Sequence, residues 1–364
     1  MTRSGLLGLA GCLLAGIAGF PSEGTPPRIR VSPTGPVFLC PKGQPFHPWG
    51  FNYDRDHRGR LLEEYWEREW DTVAADLAEM KRLGANTVRI HLQVAAFLKG
   101  PGEPDAAALR RLRRLLRLAE RTGLFVDLTG LACYRRTAVP GWYDALSESD
   151  RWRAQATFWR AVARTARSSS AVFCYNLMNE PFVPAQPRPA GDWLAGEFGG
   201  FSYVQAVTRD PRGRPRATVA RDWVRLLKQS IRAEDPQALV TVGLLPERRR
   251  TNSFSGFEPE LMSRELDFLS VHLYPDEKRL SEAMEVLDAC RSDKPLVVEE
   301  IFPLHIRAEN LIRFMQEHSD QVAGWLTFYW GQPPEELAAE GTFAGAILHD
   351  WLVRWQLMKP PWPR

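Results

Sequence analysis

The chain has 364 residues, 44% hydrophobic and 25% charged, which excludes a disordered, collagen-like or multi-span membrane protein. Its 47 basic and 44 acidic side chains leave a net charge of +3 with the arginines scattered, so no nucleic-acid partner is implied. Thirteen tryptophans fit either a surface that stacks flat ligands, sugars among them, or an indole-rich core.

Residues 1–20 have the layout of a secretory signal. Arg3 precedes an apolar run (Leu6, Leu7, Leu9, Leu13, Leu14, Ile17), and Gly16-Ile17-Ala18 offers a small-x-small cleavage site. The stretch is short for a membrane span, so no stable membrane span is expected. The sequence therefore predicts a secreted or periplasmic protein. Leu9-Ala10-Gly11-Cys12 also reads as a lipobox, which would make Cys12 a lipid-bearing N-terminus. Residues 21–36, rich in Pro, Ser and Gly, read as a linker, and 37–364 as one domain, expected to be a monomer. Export permits disulfides among Cys40, Cys133, Cys174 and Cys290, but free buried thiols fit the spacing better.

The body of the chain alternates strand-like and helix-like segments. Trp49 to Tyr53 is the first strand-like run. A helical periodicity extends from Glu63 to Leu83 and is ended by Gly84. Asn86 to His91 is the second strand, followed by an arginine-rich amphipathic helix from Asp105 to Arg121 whose arginines form a solvated face. Leu124 to Leu128 and Ala171 to Met178 are the third and fourth strands, separated by a helix from about Arg151 to Arg167. A helix from about Ala220 to Ala233 leads to Leu239–Leu244, Phe268–Tyr274, Leu296–Glu300 and Val322–Trp330, and a last helix covers Phe343 to Met358. Eight apolar, uninterrupted strands with crossover helices predict an α/β fold, a single-domain (β/α)8 TIM barrel. An open doubly wound sheet fits less well, because no Gly-rich nucleotide turn follows the first strand. The one long irregular stretch, Phe182 to Thr218, follows the fourth strand and would overhang the C-terminal face of a barrel. Its Trp193, Phe198, Phe201 and Tyr203 could stack on pyranose rings, while Arg209, Arg212, Arg214 and Arg216 form a solvated basic cluster.

Two carboxylates close distant strands: Asn179-Glu180-Pro181 the fourth, Glu299-Glu300 the seventh. Across a barrel mouth such a pair can supply one proton donor and one nucleophile. Separations of ~5 Å suit retention and ~6.5–9.5 Å inversion in glycoside hydrolysis. Strict alternation sends Glu299 and Glu300 to opposite sides, so only one should face the site.

Six motifs in order carry a family resemblance. They are Trp49-Gly-Phe-Asn52, Asn86-Thr-Val-Arg89-Ile, Asn179-Glu180-Pro181, Asp267-Phe-Leu-Ser-Val-His272-Leu-Tyr274-Pro, Lys294-Pro-Leu-Val-Val-Glu-Glu300 and Gly324-Trp-Leu-Thr-Phe-Tyr-Trp330. From about Pro45 to Trp330 the chain resembles glycoside hydrolase family 5, the cellulase and mannanase group of retaining barrel enzymes. The resemblance implies a retaining β-glycoside hydrolase acting on a β-linked oligo- or polysaccharide, with β-mannan or β-glucan favoured. It implies Glu180 as acid/base and Glu300, counted on from Lys294, as nucleophile, with Glu299 a structural partner. Arg89 would keep Glu300 ionised and Tyr274 would donate to it. Asn179 would bind the sugar 2-hydroxyl, and His272 would line the sugar subsite. Trp330 would be the floor on which the sugar stacks, and Asn52 would support the arginine. The chain departs from the family at the end of the third strand, Val126-Asp127-Leu128-Thr129-Gly130, where many members carry a histidine; His91 and Tyr134 are the candidates to replace it. Ile301-Phe302-Pro303 replaces a common aromatic-Gly pair. No cofactor and no metal are expected, because the seven histidines form no ligand pair. Two alternatives stay open: a carbohydrate-binding barrel with impaired catalysis, and a metal-dependent hydrolase.

Overall fold

The structure, a computed structural model, describes residues 26–248, 254–328 and 330–358. The segment read as a secretory signal, Cys12 within it, and Tyr329 lie outside the described residues. Eight parallel strands close into a barrel: β1 (Trp49–Tyr53), β2 (Thr87–Gln93), β3 (Phe125–Ala132), β4 (Val172–Asn179), β5 (Val240–Leu244), β6 (Leu269–His272), β7 (Leu296–Ile301) and β8 (Gly324–Thr327), with β8 pairing β1. The major helices are α1 (Trp70–Arg82), α2 (Ala106–Thr122), α3 (Glu148–Ala166), α4 (Arg216–Arg232), α5 (Pro259–Glu265), α6 (Leu280–Ala289), α7 (Ala308–Glu317) and α8 (Phe343–Leu357). This is the (β/α)8 barrel expected from the sequence. Among the described residues no helix is long and apolar enough to cross a membrane.

Local chemistry sets the boundaries. Asp105 caps α2 by accepting from the Ala107 and Ala108 amides, and Gly123, at φ 71°, ends it in the left-handed conformation. Leu112, Leu115 and Leu116 of α2 are buried. The periodicity from Glu63 to Leu83 does not make one helix. A short turn, Leu62–Tyr65, precedes α1, and the chain leaves helical geometry at Glu69. The break lets the Tyr65 hydroxyl reach Tyr53 at 2.8 Å while Trp66 packs edge-on against Phe97.

Residues 28–46 close the bottom of the barrel. Arg30–Val31, Phe38–Leu39 and Pro45–Phe46 form a small antiparallel sheet. Phe38 packs edge-to-face on Phe173 and Phe268, at the lower ends of β4 and β6, and Phe46 on Phe125 of β3. Arg28 is buried, pairs with Asp235 and donates to the carbonyls of Ala166, Arg167 and Ser169. Residues 28–31, within the segment read as a linker, are thus part of the packed body. The tryptophans belong mainly to the core: nine are fully buried, and Trp49 and Trp355 stack at 3.9 Å. The four described cysteines are free.

The Phe182–Thr218 stretch is not irregular. Pro181–Phe182, Leu194–Phe198 and Phe201–Ala206 form a three-stranded sheet, and α4 starts at Arg216, earlier than expected. Gly199 (φ 58°) and Gly200 (φ 80°) make the two-residue turn joining Phe198 to Phe201, both in the left-handed region a type I′ turn requires.

Candidate active site

The upper part of the barrel interior is polar. At its centre lies Arg89 on β2, fully buried. Its guanidinium donates to Thr129 (2.8 Å), Asn52 (2.9 Å), Asn179 (2.8 Å) and Glu300 (2.7 Å), and stands 3.3 Å from Glu299. Burial opposes its charge, but Glu299, Glu300 and Asp127 outweigh burial and hold it protonated. Asn52 on β1 donates to the carbonyls of Glu299 (2.7 Å) and Thr327 (3.1 Å), tying β1 to β7 and β8 beneath the mouth.

Both acids at the end of β7 reach Arg89, contrary to strict alternation. The pairing of β7 with both neighbours shifts register here, and this irregularity turns consecutive side chains toward one guanidinium. Glu299 is fully enclosed, accepting from Asn176 at 3.0 and 2.9 Å and from His272 at 3.2 Å. Burial pushes its carboxyl up, yet Arg89 and His272 bring it below the usual range. Glu300 keeps an edge on the mouth. Its two oxygens accept from Arg89 and from the Tyr274 hydroxyl, each at 2.7 Å. Burial and the charge of Glu180 raise its carboxyl above the usual range, against His272, Arg89 and Tyr274, which all favour the ionised form.

Glu180 follows β4 in the left-handed region, at φ 45°. That conformation costs a non-glycine residue roughly 1–2 kcal/mol. It is held by hydrogen bonds from the Glu180 amide to the Gly243 carbonyl (2.9 Å) and from the Gln205 amide to the Glu180 carbonyl (3.2 Å). The turn aims the side chain at His272, whose Nδ1 is 2.8 Å from one Glu180 oxygen and 3.4 Å from a Glu300 oxygen. Carboxylate oxygens of Glu180 and Glu300 and a ring nitrogen of His272 all lie within 4.8 Å of one another. Burial alone would lower His272, but Glu300, Glu180 and Glu299 outweigh it and push the imidazole up to about 10. A protonated ring donates from both nitrogens, here toward Glu180 and Glu299, so His272 joins the acids in one hydrogen-bonded cluster.

His272 therefore sits among three acids. Trp330 is not where the sequence places it. It is fully buried, edge-on against Phe51 at 5.5 Å, with no open face for a sugar. The aromatic that reaches the mouth from that side is Phe328, half-buried and edge-on to Tyr203 and Tyr274. β8 stops at Thr327, and alternation no longer applies beyond it. His91 and Tyr134, the candidates for the missing third-strand histidine, hydrogen-bond each other beneath the mouth. Burial, with Arg89, His272 and Arg55 nearby, holds His91 well below its usual range, so its neutral ring donates from Nε2 to Asn52 at 3.3 Å.

Of the four aromatics picked out in the Phe182–Thr218 stretch, Tyr203 alone reaches the acids' surroundings. Trp193 is buried between Arg151 and Arg209, Phe201 is buried under Arg55 and Arg135, and Phe198 is exposed at the turn. The basic cluster is partly tied down: Arg214 makes a two-pronged pair with Glu148 at 2.9 and 2.8 Å. A cleft of about 900 Å³ begins two residues past Glu180, between the loops after β4 and β5, and its lining among the described residues does not include the acids.

The family model for cellulase (glycosyl hydrolase family 5) matches residues 41–302. No curated protein matches the chain by sequence. Among solved structures, the chain is similar to an exo-β-1,4-mannosidase from Opitutaceae bacterium strain TAV5, with TM-score 0.65 and 18% identity over 91% of this chain. It spans 62% of that longer protein. It is also similar to an endo-1,4-β-mannanase from Rhizomucor miehei (TM-score 0.60, 17% identity, 90% and 99% of the two chains). A β-glucanase from Saccharophagus degradans gives TM-score 0.58 at 16% identity, over 91% and 94% of the two chains. At these identities the likeness bears on the fold.

Proposed function

We propose, from the premise that the chain belongs to glycosyl hydrolase family 5 and is a glycosidase acting on O-glycosyl bonds, that it cleaves β-linked mannosides or glucosides with retention. The observation that carries this reading is the pair Glu180 and Glu300, with oxygens within 4.8 Å around His272 at the mouth. Glu300 attacks the anomeric carbon. The glycosidic C–O bond breaks as Glu180 protonates the departing oxygen. Glu180 then takes a proton from water, which attacks the same carbon and releases Glu300. Arg89 and Tyr274 fix both oxygens of the nucleophile. Asn179 spends one amide hydrogen on the Tyr203 carbonyl at 3.1 Å and keeps the other for the sugar 2-hydroxyl.

The names of the similar structures, a mannosidase, a mannanase and a glucanase, support β-mannosidic and β-glucosidic linkages as the substrates to try first. Export through the Leu-rich N-terminus and action as a monomer are part of the same proposal. The test is hydrolysis of aryl β-mannoside and β-glucoside, with mannan and β-glucan alongside and the anomer of the first product read by NMR. The reading expects a retained anomer, activity indifferent to chelators, and loss of turnover in Glu180→Gln and Glu300→Gln. Intact substrates would leave a carbohydrate-binding barrel in its place; an inverted product would refute the mechanism.

A further inference from the structure

The mouth is built unevenly. Over β1, β2 and β3 it is roofed by the hairpin Leu194–Ala206. The Ser202 amide donates to the Tyr134 carbonyl at 2.8 Å, and the Gln205 side chain to the Leu131 carbonyl at 2.9 Å, fastening the hairpin to the end of β3. Tyr203 projects from it over the site, 4.8 Å from the Tyr134 ring, and its hydroxyl bonds to Arg55 just after β1. Arg55 in turn lies against Phe201 (5.2 Å) and Phe328 (5.4 Å), so the roof continues across to the end of β8. Beneath it are Asp54, His91 and Tyr134, each 1% exposed or less. On the other side of Glu180, among the described residues, a cleft of about 900 Å³ begins at Phe182.

The chemistry gives these two sides different meanings. The acid must reach the departing oxygen, so the leaving group lies on the Glu180 side. The sugar under attack sits over Glu300, Tyr274 and Arg89, and its non-reducing end points away from Glu180, toward the roofed rim. A polysaccharide continuing past that sugar would have to run through Tyr203 and Arg55.

We propose that the site is a blind pocket for one terminal sugar, so that the enzyme removes single units from the non-reducing end. Tyr203 and Arg55 form the stop, and Asp54, the group behind them, holds Arg55 in place from a wholly buried position. One oxygen accepts from Arg55 at 2.8 Å and lies 3.4 Å from the Tyr203 hydroxyl, while the other has no hydrogen-bond partner among the described residues. The inference rests on the glycosidase reading above and adds which bond of a chain is cut.

The test uses the whole enzyme and manno- and gluco-oligosaccharides carrying a fluorophore at the reducing end. The expected first products are the free monosaccharide and a labelled chain one unit shorter, with shorter labelled chains appearing strictly in sequence. Labelled fragments from internal cuts, present from the start, would overturn the pocket while leaving the glycosidase reading intact. Failure to cleave either these chains or the aryl glycosides would overturn both. Two variants address the stop itself. Arg55→Met should raise KM for the aryl glycoside roughly tenfold with a smaller change in kcat, the size of one lost charge-assisted hydrogen bond. Tyr203→Ala should admit internal cleavage. Unchanged KM in the first and an unchanged product order in the second, both in folded protein, would refute the assignment.

Discussion

Replacing Arg89 by methionine is the sharpest perturbation of the network under the site. The side chain is fully buried, donates to four side chains and stands against two carboxylates at 2.7 and 3.3 Å. Methionine fills most of the volume and removes the charge. Glu299 is left enclosed, with His272 as its remaining cationic partner, and Glu300 with Tyr274 and a longer contact to His272. Removing one partner of a buried ion pair costs about 3–5 kcal/mol. At ~2–4 °C per kcal/mol for chains of this order, the melting midpoint should fall by roughly 10 °C. Arg89→Lys should lie between wild type and Arg89→Met, since it keeps the charge but has three donors where the guanidinium satisfies four acceptors. Urea denaturation of wild type, Arg89→Met, Glu300→Gln and the double variant measures the coupling. The charge argument expects the arginine to matter less once Glu300 is neutral, by ~1–3 kcal/mol. A loss under ~1 kcal/mol in Arg89→Met, with additive effects in the double variant, would refute a charge network as the site's foundation.

Three further outcomes follow from the same geometry. His272 is raised to about 10 in the folded protein from an ordinary 6.5, so its contribution to stability is fully present below about pH 6.5 and is lost as pH rises through about 10; the stability gap between wild type and His272→Gln should narrow over that window, and a gap constant with pH would contradict a protonated ring. Gly243→Ala should abolish turnover and destabilise the fold, because its new methyl would lie 2.6 Å from Glu299, 3.0 Å from His272 and 3.1 Å from Arg89; near-normal kinetics would show that this layer is loose. Trp330→Ala should lose about 3–5 kcal/mol of stability as a core truncation, whereas intact stability with a raised KM would restore it as a sugar platform.

The barrel was legible because its strands are apolar runs of the length a doubly covered parallel strand needs, as in Val172 to Asn179 and Leu296 to Ile301. The order of acids and their supports was legible for the same reason: strand ends are fixed points, and Asn52, Asn179, Glu180 and Glu300 stand at or near them, with Arg89 further down its strand. What failed lies where periodicity stops. Trp330 and Phe328 come after β8 has ended, so neither alternation nor a motif could say which ring turns inward. Glu299 joined the site through a register shift in β7, which leaves no trace in residue type. The hairpin over the mouth hid in a stretch read as irregular, because Ala195, Gly196 and Glu197 do not look like a strand. The Phe198-Gly-Gly-Phe201 turn was the signal available there, since two adjacent glycines between aromatics suit a type I′ hairpin. His272 illustrates a different limit: its position on β6 was expected, but its partners come from β4 and β7 and only closure of the barrel brings them together.

The central claim is that Glu300 forms a covalent bond to the sugar while Glu180 handles the proton. Incubation with 2-deoxy-2-fluoro-β-mannosyl and β-glucosyl fluorides, followed by proteolysis and mass spectrometry, tests it directly. The account predicts one stoichiometric label on the peptide containing Glu300, placed on that residue by fragmentation and absent from Glu300→Gln. A label on Glu299 or Glu180, or an enzyme that turns these substrates over to an inverted product without labelling, would contradict it.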